Sequence, residues 1–136
     1  MTRIRRKGIA IIHNPRGILV VSGRNKIYTL PGGGTNKGES RKKATMRELR
    51  EETGLKTKSI KFLFEYIGKK WHDYKRRSIR NHTKVFLIEA YGRARPRHEI
   101  KHIAFWNKKS NIKISKGTKM IIKRLNEKII RMNQKQ

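Results

Sequence analysis

The stretch GGTNKGESRKKATMRELREETGL, residues 33–55, decides how the rest of the chain is read. Ser40 is a residue type that caps helix N-termini, and the spacing predicts a helix over 41–53. Gly54 suits the left-handed position just past the helix end, and Leu55 can fold back onto the last turn. Glu48, Glu51 and Glu52 stand at i, i+3 and i+4, so the helix gathers them on one face. Like charges so placed repel by roughly 0.2–0.5 kcal/mol per pair in an isolated helix. A hard divalent cation relieves that repulsion, because Mg2+ prefers carboxylate oxygens and completes its shell with waters or phosphate oxygens. Arg47 can reach Glu51 at i+4 and hold its rotamer. The glycines 32–34 ahead of the helix let the backbone turn tightly and present bare carbonyls and amides.

Composition sharpens the point. The 136 residues carry 37 Lys+Arg against 9 Asp+Glu, a formal net charge of +28, and no cysteine. Four of the nine acids, Glu39, Glu48, Glu51 and Glu52, fall within fourteen residues. The surplus of cations suits polyanionic partners such as nucleotides or nucleic acid, with Lys-rich background composition as the competing reading for part of it. The length fits one domain, residues 1–136, large enough for a real core. No apolar run approaches a membrane span, and Ile9–Ile12 is too short for a signal h-region despite the basic start. The absence of cysteine fits a reducing compartment. The expectation is a soluble, cytoplasmic protein.

Outward from the quoted stretch, residues 4–12 and 18–22 read as strands joined by a turn at Asn14–Gly17. Ile27–Leu30 is a short third strand stopped by Pro31–Gly34. Residues 58–68 and 83–91 alternate as strands, and Ile100–Trp106 gives one more. Ser115 caps a last helix in which Ile121, Ile122, Leu125 and Ile129 form an apolar face, with Lys119, Lys123, Arg124 and Lys128 on the wet side. The order strands, helix, strands, helix is an α+β arrangement.

Gly33, Glu39, Arg47-Glu48-Leu49, Glu51-Glu52 and Gly54-Leu55 resemble the signature of the Nudix hydrolases, of MutT-like type, G-x5-E-x7-R-E-U-x-E-E-x-G-U with U aliphatic, and every fixed position matches. A Glu-rich helix alone equally suits an ordinary salt-bridged surface; the glycines, Glu39 and Gly54-Leu55 at the required spacing argue against that. The resemblance implies an α/β/α sandwich around a mixed sheet. It implies Mg2+, with Mn2+ as the substitute, on Glu51 and Glu52, with Glu48 as a further ligand or outer base and the Gly32 carbonyl joining them. It further implies that Glu39 supports the loop or the helix. A general base often lies outside such a signature. Glu99 is the first choice, equally readable as a solvated loop charge, with Glu65, Glu89 and Asp73 behind it.

Substrate choice is expected from loops. Lys69–Lys84 holds seven Lys and Arg interleaved with Trp71, His72 and Tyr74. Aromatic rings stack bases while cations hold phosphates, so Trp71, Tyr74 and His82 join Gly33 and Gly34 as candidate substrate contacts. The competing reading of that segment is a long solvated hairpin loop. Phe105-Trp106 resembles a base-pocket pair and equally suits the core. The resemblance implies hydrolysis of a nucleoside diphosphate linked to another moiety. A (d)NTP or oxidised dNTP cleaved to the monophosphate leads, favoured by the short length. The alternatives are a 5′-triphosphate RNA pyrophosphohydrolase and a basic nucleic-acid-binding protein on the same scaffold with little catalysis. A monomer and a homodimer are both compatible with the sequence.

Overall fold

The computed structural model describes residues 1–134. Its elements run β1 (Arg3–Ile11), β2 (His13–Asn14), β3 (Gly17–Ser22), β4 (Ile27–Tyr28), β5 (Gly32–Gly34), α1 (Arg41–Thr53), β6 (Lys56–Ile67), β7 (Trp71–His72), β8 (Ser78–Tyr91), β9 (His102–Trp106), β10 (Lys113–Ile114) and α2 (Lys116–Gln134). The central sheet has the order β5-β1-β8-β6, with β7 also on β8. It is mixed: β1 runs parallel to β8 from Arg3↔Ile79 to Ile11↔Leu87, and the other pairings are antiparallel. A β2-β3-β9 sheet and a β10-β4 pair complete it. No helix among the described residues is long and apolar enough to cross a membrane.

The two-residue period of β1 and β8 separates two cores. Ile9, Ile11 and Val85 pack with Phe64 and with Ile121, Ile122 and Leu125 of α2. Ala10, Phe86 and Ile88 point the other way and pack with Leu49 of α1 and with Leu55. The sheet therefore carries one helix on each face, as the α/β/α expectation required. On the α1 side the contact is closest at Gly8, where a Cβ would run into Thr45 Oγ1 and the Arg41 carbonyl. Both α1 caps form as their sequence dictates: Ser40 Oγ accepts from Lys43 N at 3.1 Å, and Gly54 at φ 78° donates to the Arg50 carbonyl at 2.8 Å.

Several expectations change. Pro31–Gly34 does not simply stop a strand; Gly32–Gly34 is itself β5, paired with Lys7–Ile9. Low strand propensity is overridden there by tertiary pairing, and only glycine fits at Gly32, whose φ is 144° and whose Cβ would strike Gly8. The expected long loop at 69–84 shrinks to a tight turn between β7 and β8. Asp73 closes it, its Oδ1 accepting from Lys75 N (3.0 Å) and Arg77 N (2.9 Å) and its Oδ2 from Arg77 Nε (2.8 Å). Ile129 is not part of the buried face; it is 46% exposed, because the α2 stripe reaches the sheet only as far as Leu125. Lys128 is not simply wet, since its Nζ donates to the Leu63 carbonyl at 2.6 Å.

Candidate active site

α1 and the strand ahead of it set the acidic half of the site. Arg47 is its organiser. Its Nε and Nη2 each lie 2.9 Å from a Glu39 oxygen, a two-pronged pairing. Nη1 bonds Glu48 at 2.7 Å and Glu51 at 3.2 Å, and Nη2 also bonds the Gly34 carbonyl at 3.1 Å. One guanidinium thus ties β5, the 35–40 loop and the helix together. The Glu39 carboxyl is pulled to about 2, first by Arg47 and then by the Asn36 amide. Its field and that of Glu48 hold the Arg47 pKa above its ordinary value. Gly33 lies directly against Glu48, where a Cβ would be 2.9 Å from Glu48 Cδ.

Glu52 is the buried acid. Only 7% exposed, it accepts from Gly32 N at 2.8 Å. Burial raises its pKa to about 8, against the Gly32 amide that opposes the shift and with repulsion from Glu48, Glu99 and Glu51 adding to it. Carboxylate oxygens of Glu48, Glu52 and Glu99 lie within 4.8 Å of one another. Glu99 arrives there from 47 residues further along the chain because the last carbonyls of α1 seize its loop. Arg95 N donates to the Thr53 carbonyl (2.9 Å) and Arg97 N to the Glu52 carbonyl (3.1 Å), and Lys101 N ties the far side to Ser22. Glu51 stays outside this trio, 45% exposed and bonded to Arg47. Three carboxylates crowded together, one of them buried, fit Mg2+ or Mn2+: the cation would remove the repulsion and take the place of the proton that burial favours.

The other half of the site opens on the opposite face of the sheet. A cavity of about 680 Å3 lies beside the start of α2, and Gly32 borders both it and the carboxylates. Its walls include Lys7, Tyr66, Trp71, Asn81, Thr83 and Thr118. Thr118 Oγ1 accepts from Leu30 N and meets the Ser115 hydroxyl, which fixes the first turn of α2 against the chain just past β4. The pKa of Lys7 is lowered by burial and then by Arg5.

Of the residues singled out from sequence, Trp71 lines the cavity, whereas Tyr74 stands 88% exposed at the β7–β8 turn. His82 lies inside β8 between two cavity residues and so faces the other way, its carbonyl accepting from Arg41 at 3.4 Å. Glu65 pairs with Arg41, Glu89 with Lys58 at 3.6 Å, and Asp73 is used by its turn. Phe105 packs with the α1-side core and Trp106 with the α2-side core. Sequence reasoning missed Lys7, Asn81 and Thr83. The strand alternation that turns Ile9 toward α2 also turns Lys7 that way, and this was the available signal.

A NUDIX domain model matches residues 3–120. An RNA pyrophosphohydrolase from Haemophilus influenzae is 40% identical over 63 residues, 45% of this chain. That match spans only 31% of the relative's own length. Among solved structures, a Nudix hydrolase family member from Chromobacterium violaceum superposes with a TM-score of 0.78 at 34% identity, covering 93% of this chain and 79% of that one. A MutT NUDIX hydrolase from Burkholderia pseudomallei superposes at 0.73 with 18% identity, covering 89% and 97%, a likeness of fold.

Proposed function

The chain belongs to the NUDIX family, and from that premise we propose that it is a divalent-metal-dependent pyrophosphohydrolase acting on a nucleoside diphosphate linked to a further moiety. The leading substrate is a (d)NTP or an oxidised dNTP, converted to the monophosphate. The observation that carries this reading is the continuity, through Gly32, of the Glu48–Glu52–Glu99 cluster with a cavity large enough for a nucleoside. Glu48 and Glu52 would hold Mg2+ or Mn2+, with the Gly32 carbonyl beside them and Glu51 available on the exposed side of the same helix. When bound, the cation neutralises phosphate charge and stabilises the departing phosphate. Glu99, the exposed member of the trio, would take the proton from the attacking water. That water adds to phosphorus, and the bridging oxygen leaves with the departing group. Arg47 keeps Glu48 and Glu51 oriented throughout, and the cavity walls around Trp71 hold the nucleoside.

A second reading, the 5′-triphosphate end of an RNA, draws support from the Haemophilus relative's name and from the cations around the cavity mouth. A binding protein without catalysis is disfavoured, because binding alone does not call for a buried acid between two others.

The test is release of pyrophosphate or phosphate with Mg2+ across nucleoside triphosphates, oxidised dGTP, ADP-ribose, dinucleoside polyphosphates and 5′-triphosphate RNA, with Glu52→Gln alongside. Turnover of one class, lost in the variant, is expected. No turnover with metal demonstrably bound overturns catalysis, and RNA binding with a steep salt slope would then favour the binding protein.

A further inference from the structure

We propose that Lys7 is a substrate-contacting residue that grips the phosphate chain where it passes from the carboxylate cluster into the cavity. The inference deepens the pyrophosphohydrolase reading and rests on it. β1 alternates, and Ile9 and Ile11 of the same face are buried in the α2-side core. The next position on that face, toward the strand's start, is Lys7, set centrally in the sheet between Gly34 of β5 and Thr83 of β8. An apolar residue would continue the core there. Instead an ammonium stands half-buried in the cavity wall, with no ion pair among the described residues.

Unpaired charges are rarely kept at such positions, since desolvation is costly without a partner. Glu48 and Glu52 both act on Lys7 electrostatically, yet neither is bonded to it, and one Glu52 oxygen already accepts from Gly32 N. An anion lying across Gly32 would be met by the Lys7 amine from the cavity side and by the carboxylate-held cation from the other. A polyphosphate has the charge and the length for both. The strand position also separates Lys7 from the solvated cations. Arg3 and Arg5, on the same face, are exposed, so Lys7 alone of the three is enclosed where a ligand would displace its water.

The experiment measures inorganic tripolyphosphate binding by calorimetry with Ca2+ present as a hard cation for the carboxylates, at an ionic strength that screens surface cations. The proteins compared are wild type, Lys7→Met, Lys7→Arg and Lys58→Met, the last removing an exposed charge beside Glu89. Lys7→Met is expected to weaken binding roughly tenfold to a hundredfold, the worth of a charge-assisted bond. Lys7→Arg should keep most of the affinity and Lys58→Met all of it. With Mg2+ and the hydrolysed substrate, Lys7→Met should act mainly through KM. Equal losses in Lys7→Met and Lys58→Met, or none in either, overturn the proposal. Loss in Lys7→Met with no recovery in Lys7→Arg, together with a lowered melting temperature, overturns it in favour of a structural role. Failure of wild type to bind tripolyphosphate, with hydrolysis still lost in Glu52→Gln, overturns the role of Lys7 and leaves the pyrophosphohydrolase standing.

Discussion

The two faces of the central sheet are built on opposite plans. On the α1 face the clustered acids, Glu99 apart, come from one short stretch and are tied by one guanidinium: Arg47 alone bonds Glu39, Glu48, Glu51 and the Gly34 carbonyl. On the α2 face the cavity gathers residues from β1, β6, β7, β8 and α2, and the buried Asn81 Oδ1 has no partner. One side is tightened before any ligand arrives. The other keeps room, as expected of the part that must accept a variable group.

The largest test of that contrast is Arg47→Ala. It should lower activity and metal affinity about a hundredfold, the upper range for residues that orient metal ligands. Arg47→Lys should recover little, because an ammonium cannot reproduce the two-pronged bond to Glu39. Metal titrations alongside rate measurements would read both, and a near-normal Arg47→Lys would break the claim that the α1 side is pre-tightened.

The next effect concerns Glu52 and pH. Its carboxyl is raised from 4.5 to about 8, so between those values the folded, metal-free protein holds a proton that the unfolded chain has lost. Stability from this group is full below about pH 4.5 and is lost as pH rises through about 8. With each pKa unit worth about 1.4 kcal/mol, the loss is a few kcal/mol. Melting curves in EDTA should show Glu52→Gln gaining on wild type steadily as pH rises. A constant gap would show that Glu52 is not buried as described.

Two glycines sharpen the comparison further. Gly8→Ala should cost about 1–3 kcal/mol by overpacking, since its methyl meets Thr45 and the Arg41 carbonyl beneath α1. Gly117→Ala, in the first turn of α2 with nothing within 4 Å of its Cβ, should instead gain about 0.5–1 kcal/mol. Chemical denaturation of the pair would show whether the α2 side is as open as the cavity suggests.

How much of this could be read beforehand follows the same division. The bounds of α1, both its caps and the shared face of Glu48 and Glu52 are local consequences of residues 33–55, so the sequence exposes them. The approach of Glu99 depends on Arg95 and Arg97 amides meeting the end of α1, a contact between distant segments that no spacing encodes. Lys7 was one cation among 37, and only its register beside Thr83 distinguishes it. Trp71 and Tyr74 looked equivalent in sequence. The Asp73 turn sends Tyr74 outward while strand pairing of Trp71 with Ile79 keeps it at the cavity.

The parallel pairing of β1 with β8 also has a consequence in time. Thr2 Oγ1 meets the Ser78 hydroxyl 76 residues later, and β1 has β5 alone beside it until that point of the chain exists. During synthesis Arg3–Ile11 must therefore wait for Ser78–Tyr91 to be made before its central neighbour exists, and parallel pairing at such separation closes slowly. The basic opening of that strand, Arg3, Arg5 and Arg6, repels like copies of itself and keeps the waiting edge from pairing with another nascent chain.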